Sequence, residues 1–378
     1  MSWLLRPIAF FASLLLCCLA FAHDAEGYYT HYRRRHHDER VIRYCLTDLG
    51  TTSLPIEELS SHSWPISYAP HINNSGQIIY NDGLGGVLWE PHLPMRRLEV
   101  DSGYGWFHAI NDKGTILVSF SDGCHKRKWL LWEDRCGCRP SPLDLPPPPK
   151  EEQLLFWRRL NDQGQVAGMV INNHGSLDDG YAVAFSPTTR QIDLLCPGRG
   201  WDISPAGYVL AAMGDGSHQS PYLWHHRQGA LVLPDDEFSR RKRPKEAGYL
   251  ERLITSTNSV YGTFFEPELG RFSSFYWDPI SGRFDQLNLG GMRLSGLNSE
   301  ETLVGRIGNG AVVRQRQDGL LYDLNRVIDQ QLMGWHLIEA TDINDQGQIV
   351  GYATLGRETH AVLLTPMRTT YVKMYYGD

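Results

Sequence analysis

The chain has 378 residues and a formal charge of −7 at neutral pH, with 42% hydrophobic and 21% charged residues. A mildly acidic balance argues against general nucleic-acid binding. The apolar content is ample for a large core, and length alone would allow two domains.

The N-terminus reads as an export signal over residues 1–22. Arg6 precedes an apolar run from Ile8 to Leu19, and Ala20-Phe21-Ala22 supplies small residues for cleavage after Ala22. That run is too short to prefer a membrane span, and no later stretch is apolar enough to cross a bilayer. Cys17 and Cys18 raise a lipoprotein alternative, but neither follows a small residue. A secreted, periplasmic or cell-surface protein is therefore expected, and removal of Arg6 makes its charge one unit more negative. Residues 23–40 form a polar leader containing Arg33-Arg34-Arg35-His36-His37, which reads as a solvated segment before it reads as a lipid or glycan contact.

From residue 41 to residue 366 one pattern recurs seven times. Ile343-Asn344-Asp345-Gln346-Gly347-Gln348-Ile349-Val350-Gly351 is its clearest form, and Leu160-Asn161-Asp162-Gln163-Gly164-Gln165-Val166-Ala167-Gly168 nearly repeats it. Close relatives carry Asn73 with Gly76, and Asn111 and Asp112 with Gly114. The copy beginning Leu297-Asn298-Ser299 reads as having one extra residue in its turn. The copy at Ile203-Ser204 keeps an outline, and the copy at Ile254-Thr255 is the poorest. Each copy reads as a strand, a turn and a second strand: Asn and Asp oxygens bond to amides just ahead of them, and Gly takes the positive φ of a bulged hairpin. A calcium loop is the competing reading. It needs more oxygens at alternating positions and a distal Glu, which these copies lack.

Two further segments complete each period. One is a short apolar run ending in Trp or an equivalent, as in Val87-Leu88-Trp89, Leu130-Leu131-Trp132, Tyr222-Leu223-Trp224 and Phe275-Tyr276-Trp277. The other is an Asp-Leu strand, as in Gln191-Ile192-Asp193-Leu194 and Leu321-Tyr322-Asp323-Leu324. Turns starting at 72, 110, 160, 203, 254, 297 and 343 give a period of about forty to fifty residues, the length of a four-stranded propeller blade. The seventh period lacks its Asp-Leu strand, and the chain opens with an Asp-Leu strand that has no blade, Tyr44-Cys45-Leu46-Thr47-Asp48-Leu49. The expected fold is all-β: a β-propeller of seven four-stranded blades closed by the N-terminal strand, with six or eight blades as the alternatives. Residues 367–378 are a Tyr-rich tail.

Longer periods hold insertions, a Pro146-to-Pro149 run and the basic Arg240-Arg241-Lys242-Arg243-Pro244-Lys245; the acidic flank of the latter favours a solvated loop over an anion site. Beyond the signal lie Cys45, Cys124, Cys136, Cys138 and Cys196. A local disulfide among Cys124, Cys136 and Cys138 is one reading and free thiols the other; the spacing does not match a zinc site. His225-His226 at a strand end reads as a turn pair before it reads as a metal ligand, and Asn73-Asn74-Ser75 is a sequon inside a repeat turn. No Gly-x-Ser-x-Gly, phosphate loop or His-Glu-x-x-His is present, and no catalytic, cofactor or metal residue is assigned. Trp89, Trp132, Trp224 and Trp277 read as packing between blades. Trp64, Trp106, Trp157, Trp201 and Trp335 read as core before they read as sugar platforms.

The Asn-Asp-x-Gly-Gln-Val-x-Gly turn, the Leu-Trp strand and the Asp-Leu-Gly strand together resemble the HAF-repeat family of bacterial extracellular proteins. His360-Ala361-Val362 nearly spells the naming triplet, and Tyr44 to Gly50 is similar to the family's usual opening. The resemblance implies export and a repeat fold, and supplies no site residues. The expected role is a monomeric, cofactor-free scaffold that binds an unknown protein or glycan, without nucleic acid. The alternative is a carbohydrate-active hydrolase or lyase with acids from several blades meeting at the channel. A converging polar cluster in the channel would favour the enzyme, and an apolar plug the scaffold.

Overall fold

The computed structural model describes residues 42–52, 69–97, 99–100, 103–121, 127–133, 143–151, 153–172, 180–213, 220–225, 228–232, 249–266, 271–316, 319–328 and 334–367, all within the compact unit Ile42–Arg368. The segments expected to be a signal peptide and a polar leader, the Cys124/Cys136/Cys138 group, Trp64, His226 and the 240–245 basic run lie outside the described residues, as does all of the 367–378 segment except Met367.

β-branched and aromatic residues separated by Gly, Asn and Pro dictate short antiparallel strands, and these strands build seven blades. Blade 1 runs His71–Ile72, Ile78–Asn81, Gly86–Trp89 and Arg96–Arg97. Blade 2 runs Trp106–Ile110, Thr115–Ser121, Arg127–Glu133 and Leu143–Asp144. Blade 3 has Gln153–Leu160, Val166–Asn172 and Tyr181–Ser186. It shares one long strand, Gln191–Ile203, with blade 4: Gln191 to Pro197 pair outward on blade 3, and Gly198 to Ile203 form the innermost strand of blade 4. Blades 5 and 6 are four-stranded sheets starting at Tyr249 and Arg293.

Blade 7 carries the closure. Trp335–Ile343, Ile349–Leu355 and Glu358–Pro366 are completed by the N-terminal strand Tyr44–Thr52, paired from Tyr44 opposite Pro366 to Thr52 opposite Thr359 with one bulge between Asp48 and Gly50. The edge that a three-stranded blade would expose is thereby paired. One local expectation is corrected. The strand at Leu321 ends at Asp323, because Asp323 caps a one-turn helix, Leu324–Val327, by accepting from the Asn325 amide at 3.0 Å.

The core lies between blades. Trp132 packs with Ile79 and Phe107 across blades 1 and 2, and Trp277 packs with Trp201 and Leu223 across blades 4 and 5. Trp157 and Trp277 are fully buried, each contributing on the order of 2–3 kcal/mol of hydrophobic stabilisation. The closing Gly of the repeat has a steric cause. A Cβ on Gly351 would stand 2.0 Å from the carbonyl oxygen of Glu339, and one on Gly168 or Gly305 would meet the Phe156 or Arg293 carbonyl at 2.2 or 1.9 Å. The innermost strands are bulged just beyond these contacts, between Trp157 and Arg159, Leu294 and Gly296, and Ala340 and Asp342.

Candidate functional site

The repeat turns make two belts of hydrogen bonds. Within its own turn, Asn344 Oδ1 accepts from the amides of Gln346 (3.1 Å) and Gln348 (2.9 Å), and Asn73, Asn111 and Asn161 do the same. Its Nδ2 reaches the next blade: Asn344 donates to the Asn73 carbonyl at 3.1 Å, Asn73 to Asn111 and Asn111 to Asn161 at 2.9 Å, Asn161 to Ser204 at 3.1 Å, and Asn298 to Asn344 at 3.2 Å. The following residue makes the second belt. Asp112, Asp162 and Asp345 each accept, through Oδ1, the amide of the equivalent residue one blade earlier, at 2.7, 2.9 and 2.8 Å. One oxygen of each of these carboxylates and the Oδ1 of each turn asparagine thus accept from N–H donors. No group of three or more His, Cys, Asp or Glu suited to a metal occurs among the described residues.

The weaker copies keep the same geometry. Positive φ recurs three residues after the turn's first residue in Gly76, Gly114, Gly164, Gly207 and Gly347, and also in Asn258 (66°) and Glu301 (58°). The copy at Asn298 has no extra residue. Asn298 accepts from the Thr302 amide four positions on, as Asn344 does from Gln348; Glu301 in the glycine slot makes it look longer in the sequence. Ser204 and Thr255 substitute a hydroxyl acceptor, receiving the amides of Tyr208 at 3.1 Å and Ser259 at 3.0 Å.

Two residues before each turn's first residue, four blades place side chains that meet. In blade 7, Asp342 accepts from the Ile343 amide (2.9 Å) and from the Ile72 amide of blade 1 (3.3 Å). Asp202 of blade 4 repeats this with the Ile203 amide (2.9 Å) and the Ile254 amide of blade 5 (3.1 Å). His71 of blade 1 is buried, with Nδ1 3.0 Å from Asp342 Oδ2. Arg159 of blade 3 lays Nη1 2.9 Å from His71 Nδ1 and 3.1 Å from Nε2. Near-equal distances to both ring nitrogens place the guanidinium over the imidazole face, and Nδ1–H is assigned as donor to Asp342. Burial raises the pKa of Asp202, and the Arg159 charge works against that rise. Blades 1 and 3 are not neighbours in a seven-bladed ring, so a contact between His71 and Arg159 places this cluster at the channel.

None of these four residues was singled out in the sequence. They lie 88 to 271 positions apart along the contacts they make, and the signal available was their common offset from the repeat turn. Glu339 was also missed. It is buried between blades 6 and 7, accepts from Ser295 Oγ at 3.1 Å, and lies beside Tyr352, whose hydroxyl is pushed far above its usual range by burial. Of the aromatic candidates, Trp157 and Trp201 are core, with Arg158 4.7 Å over the Trp201 ring; Trp106 and Trp335 are half-buried. His225 stacks on Tyr208 at 4.6 Å. Cys45 and Cys196 are free thiols.

No protein-family model and no curated relative matches this chain. Solved structures do. An oligogalacturonate lyase in complex with manganese aligns over 86% of this chain and 96% of its own, with a TM-score of 0.54 and 12% identity. A catalytically inactive virginiamycin B lyase from Staphylococcus aureus, with quinupristin, aligns over 85% and 99%, with a TM-score of 0.52 and 9% identity. The fold is a β-propeller. At these identities the likeness extends to the fold alone.

Proposed function

We propose that this chain is an exported, HAF-repeat-like propeller that acts as a binding scaffold for a protein or glycan outside the cytoplasm, released by cleavage after Ala22 and working as a monomer. The polar, converging channel cluster by itself favours the enzyme alternative; the scaffold reading is supported by how its carboxylates are bonded, each engaged by two backbone amides, one from its own strand and one from the next blade. A carboxylate held this way is already committed to joining blades. Binding of purified residues 23–378 to a glycan and cell-wall array, with product analysis on every hit, tests the proposal. Binding without turnover is the expected result, and turnover would overturn it.

The carbohydrate-active alternative draws on one feature of the same cluster. Asp202, whose pKa burial raises, lies beside the Arg159 charge and thereby His71, and a carboxyl, a guanidinium and an imidazole meeting at a channel are groups that acid–base chemistry uses. On that reading Asp202→Asn abolishes turnover of a bound saccharide while binding survives.

A further inference from the structure

Between blades 6 and 7 the belt of turns leaves a recess of about 630 Å³, within the range of small-ligand sites. Its cause is local. In blades 1, 3 and 7 the residue four after the turn asparagine is Gln, and its side chain covers the turn glycine of the next blade. Gln77 Oε1 lies 2.9 Å from where a Cβ on Gly114 would be, Gln165 Oε1 2.7 Å from that on Gly207, and Gln348 Oε1 3.5 Å from that on Gly76. Blade 6 has Thr302 there and blade 2 has Thr115; beside Thr115 the point over Gly164 is met by Leu131 of blade 2 at 3.9 Å, and blade 6 supplies no such side chain. Among the described residues no atom of blade 6 comes within 4 Å of the same point on Gly347, which has only Pro366 of its own blade beside it, at 3.7 Å.

The walls of the recess are mixed. Ile42, Ile343 and Pro366 are apolar, while Thr302, Gln315 and Gln346 bring a hydroxyl and two carboxamides. Its charge is negative: Glu300 and Asp345 are exposed at the rim, and Arg316 is neutralised by Glu301 at 3.2 Å. Glu301 is itself fixed by the Tyr261 hydroxyl at 2.7 Å. A hydroxyl and carboxamides beside the aliphatic Ile42 and Pro366 suit a ligand rich in hydroxyl groups with some apolar surface. The negative rim disfavours phosphate and carboxylate.

We propose that this recess binds an oligosaccharide of neutral or amino sugars; the proposal rests on the scaffold reading above and assigns it a site. The test is calorimetric titration of residues 23–378 with tetramers of N-acetylglucosamine, of glucosamine and of galacturonate. The first two are expected to bind and the third not. Thr302→Gln, which rebuilds the cover found in blades 1, 3 and 7, is expected to weaken binding at least tenfold with an unchanged Tm. Glu300→Lys, on an exposed side chain, is expected to remove any preference for glucosamine. No binding of either uncharged or amino tetramer overturns the proposal, as does binding that Thr302→Gln leaves intact. In the second case the scaffold reading stands with its site elsewhere. Cleavage of a bound tetramer would instead remove the scaffold reading.

Discussion

From blade 6 through blade 7 and on to blade 3, each turn begins with asparagine, whose carboxamide orders its own turn with the oxygen and holds the next blade with the nitrogen. In blades 4 and 5 the same position is Ser204 and Thr255, which keep the first role through a hydroxyl but have no amide to donate across the gap. Those interfaces rely on other contacts: Asp202 reaching the Ile254 amide from blade 4 to blade 5, and Tyr261 reaching Glu301 from blade 5 to blade 6. The contrast separates two demands that the repeat motif normally merges. Turn shape tolerates Ser, Thr, Asn258 and Glu301; joining one blade to the next by this route does not. One arc of the ring is therefore laced at every turn, and the other has a seam on each side of blade 5.

The largest expected effect is steric and falls in the laced arc. Gly351→Ala forces a methyl against the Glu339 carbonyl and should cost about 3 kcal/mol or more, read as a loss of Tm or of soluble protein. Next is Asn344→Ala. It removes two acceptor bonds and two donor bonds and should cost about 3 kcal/mol by denaturant titration, at a little under 1 kcal/mol per bond. Ser204→Ala removes the one turn bond to the Tyr208 amide and should cost about 1 kcal/mol. If the two losses were equal, the laced arc would have no advantage.

Repair of the seam gives the opposite sign. Ser204→Asn supplies the missing amide toward blade 5 and should stabilise by about 1 kcal/mol. The smallest effect is on pH dependence. Because burial raises the folded-state pKa of Asp202 above its unfolded value, its contribution to stability is fully present below about pH 3.8 and declines as pH rises through the folded-state pKa. The Tm difference between wild type and Asp202→Asn should therefore shrink as pH is raised from 4 to 8. A growing difference would mean that Arg159 outweighs burial.

The seven turns were legible because each needs an oxygen acceptor at its first residue and positive φ three residues later, and few residue types satisfy both. The closing strand was legible from what the two ends lacked: the seventh period had no Asp-Leu strand, and the strand at Tyr44 had no blade. The glycine slot misled once, because Glu301 in that slot made the turn at Asn298 read as lengthened. The channel cluster was not legible. His71, Arg159, Asp202 and Asp342 occur in unlike surroundings, and only inner strands converging on one axis, three of the four bulged, bring them together. The recess was hidden differently. It arises where Thr302 is too short to cover the next turn and no second side chain does so, as Leu131 does beside Thr115, and a short polar residue carries no signal until its neighbours are known.

Hydrogen exchange of the full chain, followed residue by residue, tests the two-arc picture most directly. The account predicts slow exchange at the turn amides of Gln77, Thr115, Gln165 and Gln348, and the earliest opening among the repeat turns at Ile254 to Val260 in blade 5. Uniform protection around the ring, or opening first at blade 1 or blade 7, would contradict it.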